Sequence, residues 1–284
     1  MTGNNGVRTL LLAVFAFCIA TIGTLAGGNA ATEKFIFKFG DDVSTEVQDF
    51  IRQATSDVSE FYSSEMDGSI PNGTKVFASG DAKFLAKNNV DQKNIPGYYK
   101  QAVKDWTNLR ENEAIYGAIF IRTNSHSFNL DFGSGVNTQR LRILTHELFH
   151  IVQYSLVGPR SKNCCPPNQI SVIGPTWLVE GSAQYLMYHY EQKRGVSNFS
   201  GWLNHVQGFR TSFKGSLASF ETRSGMDANN DSYELSALAV HKLISKAGMP
   251  ALKTFWQELG KDRKWKTAFK TAFGTTSDEF YASY

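Results

Sequence analysis

Apolar positions recur along this chain in two rhythms, and the change between them divides it. An unbroken apolar or small run, Thr9 to Ala26, comes first, preceded by a single charge at Arg8. Phe35 to Phe39 (FIFKF) then reads as a short strand. Ser44 to Phe61 places Val47, Phe50, Ile51, Ala54, Val58 and Phe61 on one stripe, the spacing of an amphipathic helix. The Asn72-Gly73 turn leads into a strand over Lys75 to Ala78. Ala114 to Arg122 (AIYGAIFIR) is rich in β-branched and aromatic residues and predicts another strand. A Gly-rich break covers residues 131–137. Beyond it the period becomes helical over Thr138–Gln153, Thr176–Glu191, Ser232–Lys246, Pro250–Glu258, Lys264–Phe273 and Ser277–Tyr284. Strands then helices predict an α+β fold, with a mixed α/β N-terminal lobe over 31–157 and a helical C-terminal lobe over 158–284.

Composition is compatible with that picture. The 284 residues suffice for one sizeable domain or two small lobes, and 42% apolar residues suffice for a core. The formal charge of +3, with no basic stripe interleaved with aromatics, argues against nucleic acid as a partner.

The opening run reads as a signal peptide over residues 1–30, with Gly28 and Ala30 as the small residues a signal peptidase requires. Cleavage would leave a secreted or extracytoplasmic chain with no stable membrane span. The alternative is an uncleaved N-terminal anchor, since eighteen residues approach the length of a span. Cys18 falls in this segment. Cys164 and Cys165 are adjacent, so only a strained disulfide could join them, and they read as structural thiols or a strained bridge in a loop.

The chemistry is concentrated in Thr145-His146-Glu147-Leu148-Phe149-His150. Helical residues four apart point the same way, so His146 and His150 can share one metal ion. Glu147 sits one step round, beside the metal, where it can take a proton from a water that the metal activates. The bland alternative is two histidines satisfied on a buried helix face. Thr176-Trp177-Leu178-Val179-Glu180-Gly181-Ser182-Ala183 adds one carboxylate to an apolar stretch. A buried carboxylate needs a compensating charge, which a dication supplies. The simpler alternative makes Glu180 a first-turn residue favoured by the helix dipole. Three protein ligands leave a position open, which favours a catalytic zinc over a structural one.

THELFHIVQY followed by WLVEGSAQY resembles the gluzincin superfamily of zinc metallopeptidases, which includes thermolysin, the aminopeptidase N-like enzymes and the peptidase MA-like domains of exported proteins. The resemblance implies a zincin-like, two-lobed fold with one zinc per chain. His146, His150 and Glu180 would be the ligands, Glu147 the catalytic base, and a peptide or protein the substrate. It implies that Tyr233, near the start of a helix, stabilises the oxyanion; packing on the core is the alternative. It also makes strand Ala114–Arg122, which precedes the metal helix, the substrate-binding edge strand. Two departures point to an endopeptidase. Twenty-nine residues separate His150 from Glu180, more than in the aminopeptidase N-like enzymes, and their Gly-x-Met-Glu-Asn segment is absent. The competing function is a non-catalytic surface or binding protein that keeps the scaffold but has no use for Glu147.

Weaker signals point elsewhere. Asp227, Asn229 and Asp231 alternate like a calcium loop but lack its Gly and its closing Glu. Asp231 with Glu234 reads instead as an acidic capping box. His126, His189, His205 and His241 are isolated. The stretch from Val157 to Pro175 reads as a rim or lid over the cleft.

Overall fold

The computed structural model describes residues 33–130, 136–159, 161, 170–261 and 264–284. The export segment, most of the 131–137 break, Cys164 and Cys165, and residues 160 and 162–169 of the proposed rim lie outside them. Residues Thr32–Tyr284 form one compact unit of α+β type.

The chain starts with strand β1 (Phe35–Phe39), helix α1 (Thr45–Met66) and strand β2 (Thr74–Ser79), a parallel crossover unit. Helices α2 (Ala82–Lys93) and α3 (Tyr99–Asn108) follow, then strands β3 (Asn112–Ile115) and β4 (Ala118–Arg122). The sheet order is β1-β2-β4-β3, with β4 parallel to β2 and β3 antiparallel to β4. Strand Ala114–Arg122 is therefore corrected to a hairpin. Gly117 takes φ +77°, which a two-residue turn with Tyr116 needs and a continuous strand forbids. The edge strands are β1 and β3, while β4 is interior.

The two central strands are buried on both faces, which is why they read as apolar runs. Val76, Ala78, Ile119 and Ile121 face the main core, shared with α1 and α5 (Val136–Val157). Phe77, Ala118 and Phe120 face a smaller core with Leu85, Val90 and Trp106 of α2 and α3. A short helix α4 (His126–Asn129) precedes α5.

The helical part comprises α6 (Thr176–Lys193), α7 (Phe199–Ser212), α8 (Arg223–Asp227), α9 (Ser232–Ala247), α10 (Pro250–Gly260), α11 (Trp265–Phe273) and α12 (Ser277–Ser283). The main core is continuous from Ile51 of α1 to Tyr284 and so crosses the expected boundary at residue 157. Helix α6 lies against α9 because Gly181 has no side chain. A Cβ there would lie 2.6 Å from the carbonyl carbon and oxygen of Ser236.

The expected capping box at Asp231 is not formed, since Asp231 occupies the N-cap position without a side-chain cap bond. The Glu234 carboxylate instead accepts from Gln184 Nε2 (3.0 Å), Tyr188 Oη (2.9 Å) and Trp202 Nε1 (2.7 Å). Three donors outweigh the two backbone bonds that a box would exchange. Among the described residues no helix is long and apolar enough to cross a membrane.

Candidate metal centre

Helix α5 is seated before it presents anything. Tyr62 Oη of α1 donates to the carbonyl of Thr145, next to His146, and Leu144, Leu148 and Phe149 fill the core. One helical turn then puts the His146 and His150 rings 4.9 Å apart, nearly perpendicular. Glu180 arrives from the second turn of α6, whose first turn holds no acid, so the alternative of a first-turn residue favoured by the helix dipole falls away. Its Oε2 lies 3.2 Å from His146 Nε2 and 3.5 Å from His150 Nε2. One ligand atom from each of the three residues falls within 4.8 Å of the others. Tetrahedral zinc with bonds of about 2.0–2.1 Å separates its donor atoms by about 3.3 Å. The spacing and the two-imidazole, one-carboxylate chemistry therefore fit a zinc ion that keeps a fourth position open.

The surroundings orient these donors. His150 Nδ1 lies 2.7 Å from Gln153 Oε1, an acceptor, so Nδ1 keeps a proton and Nε2 is the nitrogen that would bind a metal once its own proton is displaced. Gln153 Nε2 in turn donates to the Val179 carbonyl (2.9 Å) and approaches Ser182 Oγ (3.0 Å), on either side of Glu180. One fully buried amide thus joins both ligand-bearing helices. The other carboxylate oxygen, Glu180 Oε1, lies 3.3 Å from Arg223 Nη1, and Arg223 is held by Asp227 at 2.9 Å. The residues of the calcium-like pattern have other uses here: Asp227 partners Arg223, and Asn229 accepts from the Asp231 N–H.

The electrostatics follow from burial and proximity. Burial opposes a charge on His150, but the adjacent Glu180 carboxylate outweighs it and raises the imidazole to about 9 in the metal-free chain. Burial likewise disfavours the Glu180 anion, yet His150 and His146 hold it well below the usual carboxylate range. Glu147 is different. Burial pushes its carboxyl up, and the two histidines offset this only in part. No described residue hydrogen-bonds its carboxylate.

His146, Glu147, His150, Glu180, Arg223 and Tyr233 all line one cleft of about 970 Å3, with β3 along its other side. The Tyr233 ring lies 6.3 Å from that of His146, under the Arg223 guanidinium. Burial, followed by the Glu180 charge, pushes its hydroxyl pKa up, so it remains a donor. Tyr154 Oη donates to the Ala114 carbonyl (3.3 Å) and ties β3 to α5. A second cavity of about 380 Å3 opens between α5 and α6 and also touches His146 and Glu147.

The structure thus brings together all five residues that the sequence singled out. The isolated histidines stay apart: His189 pairs with Glu65 on α1 (3.2 Å), and His241 packs against Tyr185 and Phe199. Sequence reasoning missed Gln153 and Arg223. Gln153 carried a signal, a lone amide in the apolar run Ile151-Val152-Gln153-Tyr154 one turn past His150, and the structure buries it fully. Arg223, 43 residues from Glu180, carried none.

No known family profile and no curated protein matches the chain. Among solved structures it is similar to an M1 zinc metallopeptidase from Deinococcus radiodurans, at 17% identity and a TM-score of 0.40. The match covers 91% of this chain and 45% of that one, so the chain spans less than half of the structure it matches.

Proposed function

We propose that this chain is an exported zinc-dependent endopeptidase of the gluzincin type. The observation that carries the reading is the convergence of His146, His150 and Glu180 at zinc-donor spacing, with the Glu147 carboxylate, which no described residue hydrogen-bonds, in the same cleft. Export rests on the apolar run before residue 30.

A zinc ion held by His146, His150 and Glu180 would polarise a peptide carbonyl and make a water molecule there acidic near pH 7. The residues of the chain supply the rest. An extended substrate pairs with the outer edge of β3. Asn112 and Ala114 lie at positions whose backbone groups point away from β4, because antiparallel pairing alternates and Glu111 is the carbonyl that bonds Arg122; the Ala114 carbonyl already accepts from Tyr154 Oη, so a substrate would pair with Asn112 and the Ala114 N–H. Glu147 accepts the proton of the attacking water and carries it to the leaving amine. The upward pressure on its pKa suits both halves of that task. Tyr233 donates to the oxygen that gains negative charge. Two cavities meeting at His146 and Glu147 let a chain run past the centre in both directions, which supports internal cleavage. In this reading the lobes are the cleft walls, β3 and the end of α2 on one side, α6, α8 and α9 on the other.

The test is hydrolysis of a peptide library by the zinc-loaded chain and by Glu147→Gln. The variant should keep its zinc and lose about 100-fold or more in rate. Equal hydrolysis by both removes Glu147 from the mechanism. No hydrolysis by a zinc-loaded wild type favours a binding protein on the same scaffold.

A further inference from the structure

At the end of the cleft formed by α2 and β3, a network of side chains has cationic hydrogen-bond donors to spare. Glu113, on the edge strand, has both oxygens occupied. Oε1 takes Lys93 Nζ at 2.7 Å, and Oε2 takes Asn89 Nδ2 at 2.9 Å together with Arg110 Nη1. The other acid of the network, Asp105, lies behind Arg110 and is equally engaged, by Gln101 (2.7 Å) and Tyr98 (3.0 Å). Gln92 accepts from Lys75 through its oxygen (2.9 Å), which leaves its amide N–H groups. An ammonium carries three donors and a guanidinium five, so Lys93 and Arg110 have N–H groups to spare. Both line the cleft, with about a third of each side chain exposed (29% and 31%). Of the side chains that line this end of the cleft, two are cations (Lys93, Arg110) and one is a carboxylate (Glu113), which leaves one positive charge in excess among the described lining residues.

We infer that this end of the cleft is a subsite for an acidic side chain of the substrate, held by Lys93 and Arg110. The inference rests on the peptidase reading and adds to it the class of peptide that is cleaved. A substrate carboxylate accepts from the spare N–H groups of Lys93 and Arg110 and balances the charge of this lining. A lysine in its place would meet the excess positive charge. A substrate strand on β3 sends alternate side chains to the Glu113 face of the sheet, so a single substrate position should be selected.

The experiment uses the zinc-loaded full chain and peptides blocked at both ends, so that only a side chain can supply the carboxylate. Asp, Asn and Lys are placed in turn at each position around the cleaved bond. One position should favour Asp over Asn by about fivefold in kcat/KM, the scale of a partly exposed ion pair. That preference should fade as ionic strength rises towards about 0.5 M. Lys93→Glu should turn the preference at that position towards Lys. Equal rates for Asp and Asn at every position, or a preference that neither salt nor Lys93→Glu changes, would overturn the inference and leave the peptidase reading standing. If Lys93→Glu does not fold, the salt series on the wild type decides. A wild type that cleaves no peptide overturns both.

Discussion

His150 and Gln153 act as one unit, with the ring Nδ1 2.7 Å from an amide oxygen that is itself fixed to α6. Gln153→Leu keeps the volume and removes both links. It frees the ring to rotate or change tautomer and leaves the Val179 carbonyl without that donor. Zinc affinity should fall about 10- to 100-fold in a chain that still folds. Competition with a chelator measures it, and an unchanged dissociation constant would show that packing alone orients His150.

The same ring sets a pH dependence. With His150 raised to about 9 in the metal-free chain, zinc must displace a proton at neutral pH. Affinity should therefore rise about tenfold per pH unit up to about 9 and then level off. The sign for stability is the reverse. A folded value above the unfolded 6.5 stabilises the metal-free chain fully below 6.5, and the effect is lost as pH rises through about 9. A metal-free melting temperature that stays level between about pH 6 and 9 would contradict this coupling.

Tyr233→Phe separates catalysis from binding. The ring keeps its place beside His146 while the hydroxyl is lost. If that hydroxyl stabilises developing charge, kcat should drop about 100-fold with little change in KM or zinc content. Steady-state kinetics on one good peptide decide the matter, and an undiminished kcat would return Tyr233 to a packing role.

Gly181→Ala opposes two effects. Alanine favours a helix over glycine by about 1 kcal/mol. The new Cβ would sit 2.6 Å from the Ser236 backbone, which cannot move without shifting α9. Overpacking of this kind costs about 1–3 kcal/mol, so the clash should win. Calorimetry should show a lower melting temperature. A higher one would mean that α6 and α9 separate easily.

The site was legible because its chemistry needs local spacing: two histidines a turn apart, and a carboxylate in a stretch too apolar to hold it idly. Helices with a full apolar stripe, α1 and α5 among them, were legible for a similar reason. Helices α2 and α3 were missed because each buries only a few residues, such as Leu85, Ala86 and Trp106, between lysines and amides. Helix α7 buries Val206 alone. The β3–β4 hairpin was read as one strand because the residues on both sides of Tyr116–Gly117 suit a strand, and only the turn distinguishes the two. Glu234 was read as a cap because the rule is local, whereas its partners Gln184, Tyr188 and Trp202 come from 32 to 50 residues away.

Those partners also limit how the centre could be redesigned. Helices α6 and α9 touch through Gly181 and Ser236, and the Glu234 carboxylate ties them again through Gln184. Glu180 and Tyr233 therefore sit on one rigid block. An engineer who shifts α6 to fit a larger ion carries the tyrosine along, so the metal's radius and the reach of that hydroxyl cannot be tuned independently.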